Sequence, residues 1–173
     1  MNIELLDTDS AMRSADDLIE LLQDAVDSGA SVGFLPPVNR EDASAYWRGI
    51  FHEIATGKRL VLGAIEGTRL VGSAQLELAS KPNALHRAEV QRVLVHRSSR
   101  RQGIAEQLMR RVEELARERG RTLLVLDTRE GDPAELLYRK LGYTAAGVIP
   151  GYARSADGAL DGSVFYYKRL DQP

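Results

Sequence analysis

Residues 93–109 carry the strongest chemical signal in this sequence. They read Val-Leu-Val-His-Arg-Ser-Ser-Arg-Arg-Gln-Gly-Ile-Ala-Glu-Gln-Leu-Met, which predicts a strand, a basic turn and an amphipathic helix. The first amides of such a helix have no partner within it, and together with the helix dipole they bind anions. Glycine at position 103 lets the backbone approach a ligand closely. We therefore predict that this turn binds a phosphorylated cofactor.

The same segment resembles motif A of the GNAT superfamily of N-acetyltransferases, Gln/Arg-x-x-Gly-x-Gly/Ala, here Arg100-x-x-Gly103-x-Ala105. The resemblance implies that the turn binds the pyrophosphate of acetyl-CoA, the cosubstrate, and that the strand binds its pantetheine arm. The residues it assigns to cofactor binding are Val93, Leu94, Val95, Arg100, Arg101, Gln102, Gly103, Ile104, Ala105 and Glu106. Taken alone, the pattern also fits a solvated basic turn that caps a core helix.

Residues 134–143 resemble a second signature of the superfamily, in which a tyrosine lies beside the thioester sulfur. The resemblance makes Tyr138 the candidate to protonate or stabilise the departing thiolate of CoA. The alternative is a tyrosine packed under the last helix with its hydroxyl at the rim. Gly131 replaces an asparagine that commonly contacts the cofactor in the superfamily.

Two carboxylates are candidates for the proton acceptor that acetyl transfer needs. An amine attacks a thioester only when neutral, yet an amine with a pKa of about 10.4 is neutral in roughly one part in a thousand at pH 7. Glu89 lies on the strand before the basic turn, and Asp127 ends the strand after the helix. If these strands diverge, both side chains face the gap, and either could accept the proton directly or through water. The alternative is a structural ion pair with Arg92 or Arg129.

Segments outside the cofactor motif resemble the tabtoxin resistance acetyltransferases, a branch of the superfamily that acetylates an amine of a β-lactam phytotoxin. These segments are residues 29–34, 81–83, 87–91, 126–128, 150–152 and 157–158. The resemblance implies acetyl transfer to a primary amine of a small molecule, with a toxin or antibiotic as the leading candidate. Phe34, Gln75 and Tyr152 are the residues we expect to contact it. Alternatives are a peptide or protein amine as acceptor, or a non-catalytic acyl-CoA-binding sensor.

The elements that must position these residues follow from hydrophobic periodicity and turn signals. Apolar residues at helical spacing predict helices over residues 11–28, 40–56, 104–120 and 133–141, so that two helices come first. Strands are predicted over residues 60–65, 70–78, 88–95, 123–126, 143–148 and 163–168, with a loop over 150–162. The resemblance implies that this loop covers the acceptor. The continuous apolar run at 123–126 implies a buried parallel neighbour.

These elements predict a mixed α/β fold. With the resemblance, they imply the GNAT fold: a central mixed, mostly antiparallel sheet with splayed parallel strands, flanked by helices. A length of 173 residues with 43% hydrophobic content suits one domain over residues 1–173. A net charge of −2 gives no global field that favours nucleic acid or a membrane as partner.

The absence of cysteine excludes disulfides, thiolate zinc sites and a cysteine acyl-enzyme, so we expect direct transfer in a ternary complex. The three histidines lack metal-binding spacing, so we expect no metal. We see no signal peptide or membrane-length apolar run and expect a cytoplasmic protein. Residues 29–33 match the Gly-x-Ser-x-Gly elbow of serine hydrolases. They lack the preceding strand and following helix that this motif needs, so we interpret them as a loop.

Overall fold

One seven-stranded sheet organises the computed structural model, which describes residues 1–170. Its strands are β1 (Asn2–Leu6), β2 (Arg59–Glu66), β3 (Arg69–Leu78), β4 (Arg87–Val95), β5 (Leu123–Arg129), β6 (Thr144–Arg154) and β7 (Leu160–Arg169), in the spatial order β1-β2-β3-β4-β5-β7-β6. The β4–β5 pair is parallel and the other pairs are antiparallel. This confirms the mixed, mostly antiparallel sheet and the parallel neighbour predicted for residues 123–126.

Helices cover both faces of this sheet and divide the core into two clusters. The helices are α1 (Thr8–Arg13), α2 (Ala15–Asp27), α3 (Arg40–Ala55), α4 (Ile104–Glu118) and α5 (Ala134–Lys140). Helices α1 to α3 pack together in one cluster, while α4 and α5 contribute to the other. The apolar residues at helical spacing that predicted α4 are fully buried, as Leu108 and Val112 show. Each such side chain stabilises the fold by about 2 kcal/mol, which anchors α4 behind the basic turn.

Strands β4 and β5 are paired only at their beginnings. The parallel register joins Arg87, Ala88 and Glu89 to residues 123–125, after which the strands diverge. On its other side, β4 has an extra residue relative to β3, because Gln91 lies opposite Gln75 while Leu94 lies opposite Ser73. A β-bulge of this kind bends a strand and increases its twist. The predicted divergence of the parallel strands is therefore present, and it opens the sheet between them.

The beginning of the chain differs from the prediction that two helices come first. Strand β1 precedes them, and residues 11–28 belong to two helices that break at Ser14. Helix α1 begins earlier than predicted because the Asp7 side chain accepts a hydrogen bond from the Ser10 amide at 2.7 Å and caps it. β1 was missed because it is an edge strand whose only fully buried residue is Leu6, so its sequence shows no clear alternation.

The loop predicted over residues 150–162 is also wrong in extent. Strands β6 and β7 continue into it, leaving residues 155–159 between them. β6 is the other edge strand and is exposed along almost its whole length, so it shows no apolar pattern. In the described part of the chain, no helix combines the length and apolar character needed to cross a bilayer.

Candidate active site

The divergence of β4 and β5 creates two cavities that meet in the middle of the sheet. The first, which we call the strand-gap cavity, has a volume of about 330 Å³ and lies between the diverging strands, residues 31–33 and the β6–β7 pair. The second, which we call the loop groove, has a volume of about 630 Å³ and runs from the basic turn to α5. Val93, Arg129 and Tyr138 line both. A reacting pair approaching from the two sides would therefore meet at Tyr138.

Both candidate carboxylates line the strand-gap cavity. Glu89 Oε1 accepts a hydrogen bond from Gln91 Nε2 at 2.9 Å, and Asp127 Oδ2 accepts one from Ser163 Oγ at 2.6 Å. Arg129 instead lies 3.7 Å from Asp132 and 3.9 Å from Asp161. The described contacts thus do not include the ion pairs that were the structural alternative for Glu89 and Asp127.

Glu89 is connected through Gln91 to a buried charge network around Arg59, which sequence reasoning missed. The Arg59 side chain is 7% exposed, and its guanidinium pairs with Glu53 and, at 3.0 Å, with Glu77. Its Nη1 also donates to Gln91 Oε1 at 2.7 Å, and Gln91 in turn holds Glu89. An arginine at the start of the apolar strand β2 is the one sequence signal that could have indicated this network, because a buried charge requires partners.

Of the three residues predicted to contact the acceptor, Tyr152 lines the strand-gap cavity, whereas Gln75 and Phe34 do not. Tyr152 lines the strand-gap cavity and packs edge-on against Phe165 at 5.3 Å between ring centroids. Gln75 is fully buried, where its Oε1 accepts a hydrogen bond from the Tyr46 hydroxyl at 2.9 Å, and it does not line the cavity. Phe34 packs edge-on against Tyr46 at 5.5 Å and likewise does not line the cavity.

Tyr138 is a buried phenol at the junction of the two cavities. Its ring packs against those of Tyr166 and Tyr143, with centroids 5.9 and 6.0 Å away. Burial raises the pKa of Tyr138, because the phenolate would lose its hydration, and the carboxylates of Asp132 and Asp127 raise it further. The phenol therefore keeps its proton at neutral pH and has a hydrogen to donate.

All residues predicted to bind the cofactor line the loop groove except Gln102, which is exposed. Gly103 has φ of +77° and precedes α4, whose first turn receives no hydrogen bond from a capping side chain. The amides of this turn are available to a ligand, and their partial positive charge favours an anion. Gly131, where the superfamily commonly has asparagine, does not line the groove; its amide donates to Glu135 Oε1 at 2.8 Å.

Asp24 on α2 holds the basic turn, and sequence reasoning missed it too. Its carboxylate is buried, accepts a hydrogen bond from the Arg97 amide at 2.9 Å and pairs with the Arg97 side chain. Asp24 Oδ2 also lies 3.4 Å from Nη2 of Arg100. The Nε of Arg100 donates a hydrogen bond to the Val95 carbonyl at 3.0 Å. The only indication of this role in the sequence was an acidic residue on the apolar face of α2. The partners of Asp24 could not be identified, because they are more than seventy positions away in sequence. Within residues 1–170, no cluster of acids and histidines is arranged to hold a metal ion.

Comparison with known proteins finds a matching family model and a relative in sequence. The family model described as "Acetyltransferase (GNAT) family" matches residues 19–143. An uncharacterized N-acetyltransferase from the hisH-hisA intergenic region of Azospirillum brasilense is 33% identical over 134 residues, which cover 75% of this chain and 76% of that protein.

Solved structures share the fold at lower sequence identity. An N-acetyltransferase from Staphylococcus aureus Mu50 superposes with a TM-score of 0.82 at 19% identity and covers 98% of each chain. A putative acetyltransferase from Salmonella typhimurium, solved with acetyl-CoA, has a TM-score of 0.80 at 21% identity and covers 100% of this chain and 95% of its own. At these identities the two structures show a common fold.

Proposed function

The chain belongs to the GNAT family of acetyltransferases, and from that premise we propose that it transfers the acetyl group of acetyl-CoA to a primary amine of a small molecule. The observation that carries this proposal is the junction of the loop groove and the strand-gap cavity at Tyr138, with Glu89 and Asp127 on the cavity side. Such a junction suits direct transfer between two bound substrates in a ternary complex.

The loop groove is our proposed site for acetyl-CoA, which supplies the acetyl thioester. The free amides at the beginning of α4 and the close approach allowed at Gly103 fit a pyrophosphate. Beyond residue 89, β4 has no strand neighbour on its β5 side within the described chain, so its edge is free to bind an extended amide-containing arm. The solved relative with acetyl-CoA supports the same assignment.

We assign Glu89 as the proton acceptor for the attacking amine. The two hydrogen bonds that connect it through Gln91 to the buried Arg59 fix its side chain, which a general base needs in order to meet its substrate. Asp127 is the second acid on the cavity wall, and we propose that it attracts and orients the protonated amine before the transfer. The excess proton leaves through Glu89, directly or through water.

Tyr138 is our proposed hydrogen-bond donor to the departing thiolate. Its raised pKa keeps the phenol protonated, so it can form a hydrogen bond to the sulfur as negative charge develops there. Its position on both cavity walls suits this role, since the thioester must lie where the cosubstrate and the acceptor meet.

A small-molecule acceptor is supported by the size of the strand-gap cavity. A volume of about 330 Å³ lies at the lower end of the range for ligand pockets, and residues 31–33 and Tyr152 form part of its wall. The resemblance of several segments to tabtoxin resistance acetyltransferases makes a toxin or antibiotic our leading acceptor. We further propose that residues 1–173 act as one domain; a cytoplasmic location stays a prediction from sequence.

Two measurements test this function. Calorimetry with acetyl-CoA should show binding, and release of the CoA thiol should accelerate in the presence of small primary amines, among them the phytotoxin. Binding without acetylation of any amine would favour a sensor and contradict the proposal. Acetylation restricted to peptide or protein amines would contradict the small-molecule acceptor while leaving acetyl transfer intact.

A further inference from the structure

We propose that the acceptor carries an acidic group in addition to its amine, and that Arg92 binds this group. The inference rests on the proposed acetyl transfer in the strand-gap cavity and specifies the class of its acceptor. Arg92 lines that cavity on β4, three positions after Glu89.

The backbone of Arg92 is in an unusual conformation for a side chain of its size. Its φ is +47°, in the left-handed region, where a residue with a Cβ costs about 1 kcal/mol or more relative to glycine. The position coincides with the bulge of β4 opposite Ala74. Bulges re-aim side chains, and strain retained at a site suggests that the side chain has a use there.

The guanidinium of Arg92 is held in place but has no anionic partner within the described chain. Its Cζ lies 4.5 Å from the centre of the Tyr46 ring, and its Nη1 is 3.3 Å from Gln91 Oε1. Its Nε is buried without a hydrogen-bond partner. By contrast, Arg59 and Arg129 both have carboxylates nearby. Because arginine remains charged, this half-buried cation lacks the counter-charge that its neighbours have.

The loop before α3 also packs against this guanidinium. A Cβ built on Gly33 would lie 3.3 Å from Arg92 Nη2, closer than most side-chain neighbours tolerate. Gly33 itself has φ of +85°, so a larger residue there would be strained as well as crowded. The guanidinium therefore lies between this loop and the Tyr46 ring. An acidic group would have to reach it from the strand-gap cavity, which Arg92 also lines.

The distance between Glu89 and Arg92 suits one small molecule. The Gln91 carboxamide bridges them, donating to Glu89 at 2.9 Å and facing Arg92 Nη1 at 3.3 Å. The two charges are thus one carboxamide and two hydrogen bonds apart, a span that the amine and acid of a single amino-acid-like molecule can cover. Such an acceptor would place its amine on Glu89 and Asp127 and its acid on Arg92, so that every charge in the complex has a partner.

The test compares acceptors that differ only in the acidic group. We would measure CoA release with the common L- and D-amino acids, their phosphinic acid analogues, their methyl esters and the amines formed by loss of the carboxylate. The wild-type enzyme should favour the acid-bearing member of a pair in kcat/KM. In Arg92→Gln this preference should fall by about tenfold to a hundredfold, as expected for a lost charge-assisted hydrogen bond. Arg92→Lys should retain part of it.

Arg48→Gln is the matched control, because Arg48 is an exposed arginine of α3 that bonds to Ser44 and does not line the cavity. The Arg48→Gln variant should prefer acid-bearing acceptors as strongly as the wild type does. Melting curves would show whether each variant is folded. Equal or faster acetylation of the acid-free partners, or an unchanged preference in both Arg92 variants, would overturn the inference while acetylation of small amines stands. A panel without any acetylated member would overturn both proposals.

Discussion

At the scale of single residues, the site contains side chains that line the strand-gap cavity and buried side chains that position them. Glu89 and Tyr138 line the strand-gap cavity, whereas Arg59 and Gln75 are buried and do not line it; Arg59 hydrogen-bonds both Gln75 and the cavity residue Gln91. A change in the first group should affect the chemistry with little effect on folding. A change in the second should affect both.

Replacing Glu89 with glutamine should lower kcat by about a hundredfold, because the amide cannot accept the proton of the amine. The affinity for acetyl-CoA should be nearly unchanged, since Glu89 does not line the loop groove. Steady-state kinetics and calorimetry measure the two quantities. The matched variant Asp127→Asn should mainly raise KM for the acceptor; if it instead gave the larger loss of kcat, Asp127 would be the base.

Replacing Tyr138 with phenylalanine should lower kcat by about tenfold or more, because the thiolate loses its hydrogen-bond donor. A raised pKa means that the phenol retains its proton above the ordinary value of 10.0. The ratio of wild-type to variant rates should therefore stay constant from pH 7 to about pH 10. A ratio that declines towards pH 10 would show that Tyr138 ionises at an ordinary pKa and would contradict the assigned environment.

At the scale of secondary-structure elements, the beginning of α4 is the part on which the proposed binding of acetyl-CoA depends. Gly103→Val should weaken acetyl-CoA binding by about tenfold or more, since the new side chain would project where the backbone must approach the phosphates. In the protein itself the space is open, because a Cβ at this position would have its first neighbour, Gln107 Nε2, at 4.0 Å. Calorimetry with acetyl-CoA measures the loss.

Gly120 provides the control for this variant. It lies just after α4, has φ of +68° and has nothing within 4 Å of a built Cβ, so Gly120→Val introduces similar backbone strain away from the groove. Both variants should lose about 1–2 kcal/mol of stability. Only Gly103→Val should lose affinity, and an equal loss in the two would attribute the effect to strain rather than to contact with the cosubstrate.

Arg59 joins elements that are distant in sequence, namely α3, β2, β3 and β4. Arg59→Met should lower the free energy of unfolding by about 2 kcal/mol, because Glu53 and Glu77 lose their counter-charge. The side chains of Glu53 and Glu77 are 33% and 44% exposed, so solvent limits the cost.

The same change should reduce kcat more than it affects KM, since Gln91 would no longer fix Glu89. Denaturant unfolding and steady-state kinetics measure both effects. Arg59→Lys should recover part of each; normal kcat in a destabilised Arg59→Met enzyme would show that the network serves the fold alone.

At the scale of the whole molecule, Glu135 connects α5, the turn at Gly131 and strand β7. Its carboxylate accepts hydrogen bonds from the Tyr166 hydroxyl at 2.5 Å and the Gly131 amide at 2.8 Å, and it pairs with Arg139. These contacts hold the pKa of Glu135 below its ordinary value of 4.5, with the bond from Tyr166 as the largest cause. The folded state therefore favours the charged form.

A lowered pKa gives stability that is present above the ordinary value and is lost as the pH falls through the folded-state pKa. Glu135→Gln should therefore be less stable than the wild type by about 1–2 kcal/mol at pH 7. The difference should remain down to about pH 5 and shrink as the pH falls further below the ordinary pKa. Urea unfolding at a series of pH values measures it, and a difference that grows in acid would contradict the role of the carboxylate.

Features encoded by neighbouring residues were predicted correctly from the sequence, whereas features that depend on distant contacts or on exposed strands were not. The strand-turn-helix around Gly103 was predicted correctly because strand, turn and helix start are encoded by neighbouring residues. The edge strands β1 and β6 were missed or cut short because exposed edges carry little hydrophobic pattern. Gln75 was expected in the acceptor pocket, but its position in the register of β3 places it in the buried network behind Gln91.

The sequence by itself determined the family resemblance, the strand-turn-helix around Gly103 and the kinds of side chain available for catalysis, because these depend on residue type and short spacing. Tertiary structure alone decided that Tyr138, Glu89, Asp127 and Arg92 line one cavity and that the buried Nε of Arg92 has no hydrogen-bond partner among residues 1–170. The gap between Glu89 and Asp127 depends on strand divergence, and Arg92 lies at the one extra residue of β4. A bulge changes which face each side chain occupies, and only the folded register of the sheet fixes where it forms.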